Sequence, residues 1–149
     1  MSSEITAKNA AKQPFVAVLR ELVRAYQAFS ACDAEHLREF GLTTPQADVI
    51  FTLGNTQGMT FKEIGEQTLI TKGTLTGVVD RLEEKGLLKR VASEDDRRRT
   101  IVVLTAKGEK VFEDVFPKHI KHLKARFDCL SKTELKEAEA VLKKIKYLF

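Results

Sequence analysis

A mainly α fold of the α+β type, with a small helical lobe ending in a β-hairpin set between long N- and C-terminal helices, is predicted by three features of the chain. Between Thr60 and Thr105 two short helices, each preceded by a threonine, run into two strands rich in β-branched residues. Before Gly41 and after Thr105, apolar residues recur at helical spacing over lengths that a small lobe cannot cover. Two segments end in glycine followed by leucine, at Gly41-Leu42 and Gly86-Leu87, the signature of a helix stop.

Residues 1–13 are polar and alanine-containing and carry no capping signal, so a flexible arm that can fold onto a partner chain is expected. From Pro14, favourable at the first helical position, Phe15, Val18, Leu19, Leu22, Val23, Tyr26 and Phe29 mark a helical stripe that continues to Leu37 and Phe40. A helix of about 27 residues is ~40 Å long. Its excess apolar length implies a second chain, so residues 14–41 are assigned to dimerisation.

Thr44-Pro45 opens the next helix by N-cap and proline, with Ala47, Ile50, Phe51 and Gly54 as its inner face and a turn over residues 55–58. Thr60 with Glu63 spells a capping box, and Met59 with Ile64 a hydrophobic staple. The following helix is predicted to start at Thr71, after a turn over residues 68–70, with Leu75, Val78, Val79 and Leu82 inward. Its opposite side shows Lys72, Gly73, Thr76, Gly77, Asp80, Arg81 and Glu84. Each of the two glycines costs a helix interior roughly 1 kcal/mol relative to alanine, and close approach to another surface would explain them. Gly86 ends this helix, and runs 87–92 and 100–104 form a hairpin whose tip carries Asp96, Arg97, Arg98 and Arg99. The whole of residues 42–105 is a winged helix-turn-helix.

Thr105 then caps a helix carrying Val111, Phe112, Val115, Phe116, Ile120, Leu123 and Phe127, with Pro117 expected to kink it. Ser131 and Glu134 form a second capping box, opening a last helix with Leu135, Ala138, Val141, Leu142, Ile145 and Leu148 on one side. Residues 106–149 join residues 14–41 in the predicted dimerisation domain.

The 149 residues amount to one domain's worth, with a net charge of +4 on 31% charged residues, compatible with nucleic acid but too mild to establish it. Two cysteines, no charged-then-apolar leader and no apolar run of ~18 residues lead to the expectation of a reduced, cytoplasmic protein without a membrane partner. No nucleophile elbow, phosphate loop or metalloprotease signature occurs, so no enzyme and no cofactor are expected.

These residues resemble the MarR family of bacterial transcription regulators, most closely over 42–112. The resemblance is carried by Arg81-Leu82-Glu83-Glu84-Lys85-Gly86-Leu87, by Asp96-x-Arg98 in the hairpin, and by Leu104-Thr105-x-x-Gly108. It departs from the family pattern at Glu94 and Asp95, where basic residues or proline usually precede the hairpin aspartate. The resemblance implies a homodimer that presents two recognition helices to successive major grooves of double-stranded DNA and two wings to the flanking minor grooves. On that basis Thr71, Lys72, Thr74, Thr76 and Arg81 are the expected base readers, with Asp96, Arg97, Arg98 and Arg99 as wing contacts. A repressor on a pseudo-palindromic operator is the expected role.

An effector pocket for a small aromatic or phenolic acid, as in many such regulators, is placed at Tyr26, Phe29 and Phe51 with Arg20 or Arg24 meeting the carboxylate. Cys32 and Cys129 admit a redox-sensing variant of the same fold. Cys32, Glu35, His36, His119 and His122 include metal-ligand types, but the lysines around His119 and His122 suit a solvated basic face better, and no metal site is assigned. The remaining alternative is a winged helix that contacts only protein.

Overall fold

The computed structural model describes residues 4–149; the first three residues of the expected N-terminal arm lie outside them. The chain forms two compact units, one ending at Thr44 and the other spanning Pro45–Phe149. Among the described residues six α-helices, one 3-10 turn and one two-stranded sheet make up the fold, as expected for the mainly α class.

In the first unit a 3-10 turn, Ala10–Lys12, precedes α1, Pro14–Arg38. The stop at Gly41 is formed as its residues predict. Gly41 has φ +72°, its N–H donates to the Arg38 carbonyl (3.0 Å), and the Leu42 N–H donates to the Leu37 carbonyl (3.2 Å). Thr44 was expected to cap the next helix; instead it is the first residue of α2, Thr44–Leu53, and its hydroxyl donates to Asp33 Oδ2 (3.1 Å).

In the second unit the buried side of α2 is Gln46, Ala47, Val49, Ile50 and Leu53, while Phe51 and Gly54, expected inward, are only half-buried. The next helix, α3, covers Phe61–Thr68, and α4 covers Lys72–Glu84. Ile64 from α3 and Leu75, Val79 and Leu82 from α4 are almost completely buried, and this apolar seam joins the two helices. Leu69 in the turn between them adopts φ +61° and stays exposed. The α4 stop repeats the geometry of the first, with Gly86 at φ +71°, Gly86 N–H to the Glu83 carbonyl (2.8 Å) and Leu87 N–H to the Leu82 carbonyl (3.0 Å).

Leu87 is thereby committed to the helix stop, and the first strand begins one residue later than expected. Strand β1, Leu88–Ala92, pairs antiparallel with β2, Thr100–Leu104, from Leu88 opposite Leu104 to Ala92 opposite Thr100. Met59 exchanges two backbone bonds with Val102, so the segment before α3 lies beside the hairpin. The hairpin is therefore moored to the helix-turn-helix from two directions.

The helix after the hairpin, α5, spans Ala106–Phe127 without interruption at Pro117. It buries Gly108, Phe112, Val115 and His119. His119 thus departs from the solvated basic face expected of it; its ring lies 5.9 Å from that of Phe51, whose ring is tilted against that of Phe116 at 4.9 Å. The last helix, α6, Lys132–Lys146, starts at the predicted box: Ser131 N–H donates to Glu134 (2.7 Å) and Glu134 N–H to Ser131 Oγ (3.1 Å). None of its residues is buried within the chain. No helix among the described residues is long and apolar enough to cross a membrane.

Candidate nucleic-acid interface

The interface is built on α3, α4 and the hairpin. Helix α3 is anchored by Thr60, whose backbone N–H donates to Glu63 (2.8 Å) while its hydroxyl accepts from the Glu63 N–H (3.2 Å). The bond from the Thr60 backbone, followed by that from its hydroxyl, holds the Glu63 carboxyl below its ordinary value of 4.5. A lowered folded value means that this contribution to the helix start is present above pH 4.5 and lost as pH falls through the folded value.

At α4 the expected cap position is correct but its chemistry differs. Thr71 is the N-cap residue and makes no cap bond to the helix backbone; its hydroxyl donates to the Thr74 hydroxyl instead (3.1 Å). The Thr76 hydroxyl donates to the Lys72 carbonyl one turn back (3.2 Å). Thr74 therefore keeps its own proton to offer, and Thr76 keeps lone pairs.

Thr71, Lys72, Thr74, Thr76 and Arg81 are all exposed. With about 100° between successive residues, they do not share one line. Opposite the buried Leu75, Val79 and Leu82 runs the line of Gly73 and Gly77; Thr74 and Arg81 flank it on one side, Lys72 and Thr76 on the other. A Cβ added at Gly73 or Gly77 would meet nothing within 4 Å, so neither glycine is needed for internal packing. Their absent side chains leave the outermost ridge of α4 low. Gly77→Ala is therefore expected to stabilise the folded protein by up to ~1 kcal/mol while weakening operator binding. Thermal unfolding and DNA titration of one preparation check this; weakened binding without the gain in stability, or the gain without weakened binding, removes the close-approach explanation.

At the hairpin tip Asp96 acts through the backbone. Its carboxylate accepts from the Arg98 N–H (2.9 Å), its carbonyl from the Arg99 N–H (2.9 Å), and the Arg99 carbonyl accepts from the Ser93 N–H (2.8 Å). This turn presents Arg97 and Arg98 as exposed side chains without an ion pair among the described residues, and Arg81 and Lys72 share that condition. Arg99 lies closer to the lobe, where it lines an open groove of about 690 Å³ with Phe61, Ile70 and Lys72.

Arg90 on β1 is in the opposite condition, and sequence reasoning passed over it. Its guanidinium pairs with Glu83, lies 2.5 Å from Asp80, both on α4, and sits 5.5 Å from the centre of the Phe61 ring on α3. The motif Leu104-Thr105-x-x-Gly108 also acquires a physical meaning. The Thr105 hydroxyl donates to the Gly86 carbonyl (2.6 Å) and accepts from the Gly108 N–H (3.1 Å), while Lys107 Nζ donates to the Lys85 carbonyl (2.9 Å). These bonds satisfy carbonyls at the end of α4 from the start of α5.

The other residues singled out in the sequence are divided between the two compact units. Arg20 and Arg24 line an open groove on α1 with Leu19 and Val23, and Arg24 pairs with Glu21 at 2.6 Å. Tyr26 and Phe29 are exposed on the same helix, and Phe51 belongs to the aromatic cluster of the second unit. Cys32 is half-buried and Cys129 exposed; neither forms a disulfide among the described residues, and Cys129 Sγ donates to the Arg126 carbonyl (3.3 Å).

A helix-turn-helix exposed along the outer side of its second helix, followed by a hairpin tipped with unpaired arginines, defines a winged helix-turn-helix DNA-binding protein. Residues 40–99 match the MarR family. The HTH-type transcriptional regulator MhqR of Bacillus subtilis (strain 168) is 33% identical over 124 residues, which is 83% of this chain and 86% of that protein. The chain belongs to the MarR family and is a DNA-binding transcriptional regulator, not an enzyme. AbsC from Streptomyces coelicolor superimposes with a TM-score of 0.81 over 98% of this chain and 97% of that one, at 24% identity. Bordetella bronchiseptica BpsR does so with a TM-score of 0.75, covering 87% of this chain and 98% of BpsR, at 27% identity.

Proposed function

We propose that the protein is a homodimeric repressor that reads a pseudo-palindromic operator in double-stranded DNA and is released by a small aromatic or phenolic acid. One observation carries the DNA-reading assignment: Lys72, Arg81, Arg97 and Arg98 project from α4 and the wing with no ion pair among the described residues. Exposed cations of this kind are available to phosphates and base edges.

Dimerisation rests on the apolar residues that one chain leaves bare. Phe15, Val18, Val23, Tyr26 and Phe29 on α1 are exposed, as are Leu135, Val141 and Leu142 on α6. A bare apolar surface of this extent marks an association site, and a second copy is the occupant that a family of paired recognition helices requires. In this reading residues 14–41 and 106–149 form the dimer and residues 42–105 read DNA. The effector assignment draws on BpsR, whose DNA binding is regulated by 6-hydroxynicotinic acid. Arg20 and Arg24 offer cations to an acid of that class, beside the apolar residues of α1.

Arg81→Ala tests the base-reading assignment. Binding to a specific operator should weaken by ~1 to 3 kcal/mol, with a smaller loss on non-specific DNA, measured by titration at one fixed salt concentration. An equal loss on both kinds of DNA would assign Arg81 to phosphate instead.

A further inference from the structure

Arg90 bridges three elements of the DNA-reading lobe. It leaves the wing at β1, contacts two carboxylates on α4 and lies over an aromatic ring on α3. Its two terminal nitrogens serve different partners, Nη2 to Asp80 and Nη1 to Glu83. A planar fork fixes the directions of both bonds, whereas an ammonium would offer rotatable donors from a single charged point. The register places Arg90 opposite Val102, the residue that also bonds to Met59 before α3. The backbone mooring and the Arg90 bridge thus act at the same level of the hairpin.

We propose that Arg90 is a positioning residue for DNA recognition, setting the angle between wing and recognition helix so that both engage one DNA site together. Asp80 sits next to the glycine ridge of α4, so the bridge also balances a carboxylate on the side that faces DNA. Its role is geometric first. Only Leu88 and Val102 of the two strands are buried, and the tip bearing Arg97 and Arg98 lies at the far end of two five-residue strands. A small rotation at the level of Arg90 is magnified at that tip. The pairs themselves are partly exposed, the Arg90 side chain at 30% and Asp80 at 52%, and exposed ion pairs add little to global stability. Their loss should therefore leave the fold intact while freeing the wing. This inference rests on the reading that the wing contacts DNA.

The test uses the full chain and an operator duplex selected from random DNA with the purified wild-type protein. Hydroxyl-radical footprinting of the wild type, Arg90→Lys, Arg90→Met and Arg98→Ala would separate the half-site read by α4 from the flank read by the wing. Both Arg90 variants should keep the wild-type melting temperature within a few degrees and retain half-site protection. They should lose flank protection, with operator affinity lowered about tenfold, the range of one to two lost contacts. If Arg90→Lys protects the flank as the wild type does, charge alone suffices and the positioning role is overturned. A uniform loss over half-site and flank together with a lowered melting temperature also overturns it, because Arg90 would then be merely structural. Arg98→Ala reports separately on the underlying reading. Unchanged flank protection in that variant would show that the wing is not a DNA element, whatever the Arg90 variants do.

Discussion

Removing residues 135–149 is expected to abolish dimerisation and soluble folding together. No residue of α6 is buried within its own chain, so the truncation deletes no internal core. What it deletes is one side of the proposed interface: Leu135, Val141, Leu142, Leu148 and Phe149 are all exposed, Phe149 at 93%. Obligate dimers often lack a stable folded monomer, and their stability is inseparable from association. The truncated chain should therefore collect in the insoluble fraction, or sediment as heterogeneous aggregate with reduced helix content. A well-folded, soluble monomer in sedimentation would show that α6 is dispensable and that the dimer is not obligate.

Gly108→Ala should have the second largest effect, for a reason internal to the chain. A Cβ at this position would stand 1.9 Å from the Leu87 carbonyl oxygen and 2.9 Å from its carbon. Both are backbone atoms. Leu87 cannot give way, because its N–H closes the stop of α4 and its carbonyl accepts the Thr105 N–H (3.1 Å). The start of α5 must shift away from the end of α4 and strain the Thr105 bonds. Overpacking of this kind destabilises by ~1 to 3 kcal/mol or more, which for a chain of this length lowers the melting temperature by about 2 to 12 °C. Calorimetry checks the value, and an unchanged midpoint would mean that the α4–α5 junction is looser than its geometry states. The contrast with Gly77 is direct, because there the added methyl meets open space and the expected sign is reversed.

Much of this fold was legible because its signals are local. Both glycine-leucine stops and the two capping boxes formed at the predicted residues, each being a set of bonds within six residues. The strand ends were displaced by one residue at most, since alternation and β-branching are also local. What was not legible depends on partners distant in sequence. Met59 was read only as a staple for Ile64, and its pairing with Val102 could not be seen before the hairpin was placed against α3. Arg90 was invisible for the same reason: in sequence it is one more strand cation, and only folding brings Asp80, Glu83 and Phe61 around it. His119 was misassigned because neighbouring lysines suggested a solvated face, whereas on the helix it falls in line with Phe112 and Val115.

The candidate base-reading residues were identifiable by exclusion, since the apolar positions of α4 assign themselves to the core and leave the rest outside. Their arrangement was not, because it follows from hydroxyl bonds that compete with the helix backbone. Thr71 turns toward Thr74 instead of capping, and Thr76 bonds back to Lys72. The proposed ligand residues on α1 and Phe51 belong to separate compact units, so a helix periodicity that fits a core equally well carried little information about them.

Selection of bound sequences from a random duplex pool by the purified protein shows whether two copies of this chain read one symmetric DNA site. The recovered sequences should converge on a pseudo-palindrome whose half-sites are centred about one helical turn, ~10 bp, apart, with A·T-biased flanks where an arginine enters a narrowed minor groove. Convergence on a single half-site without a symmetric mate, or no convergence at all, would contradict it.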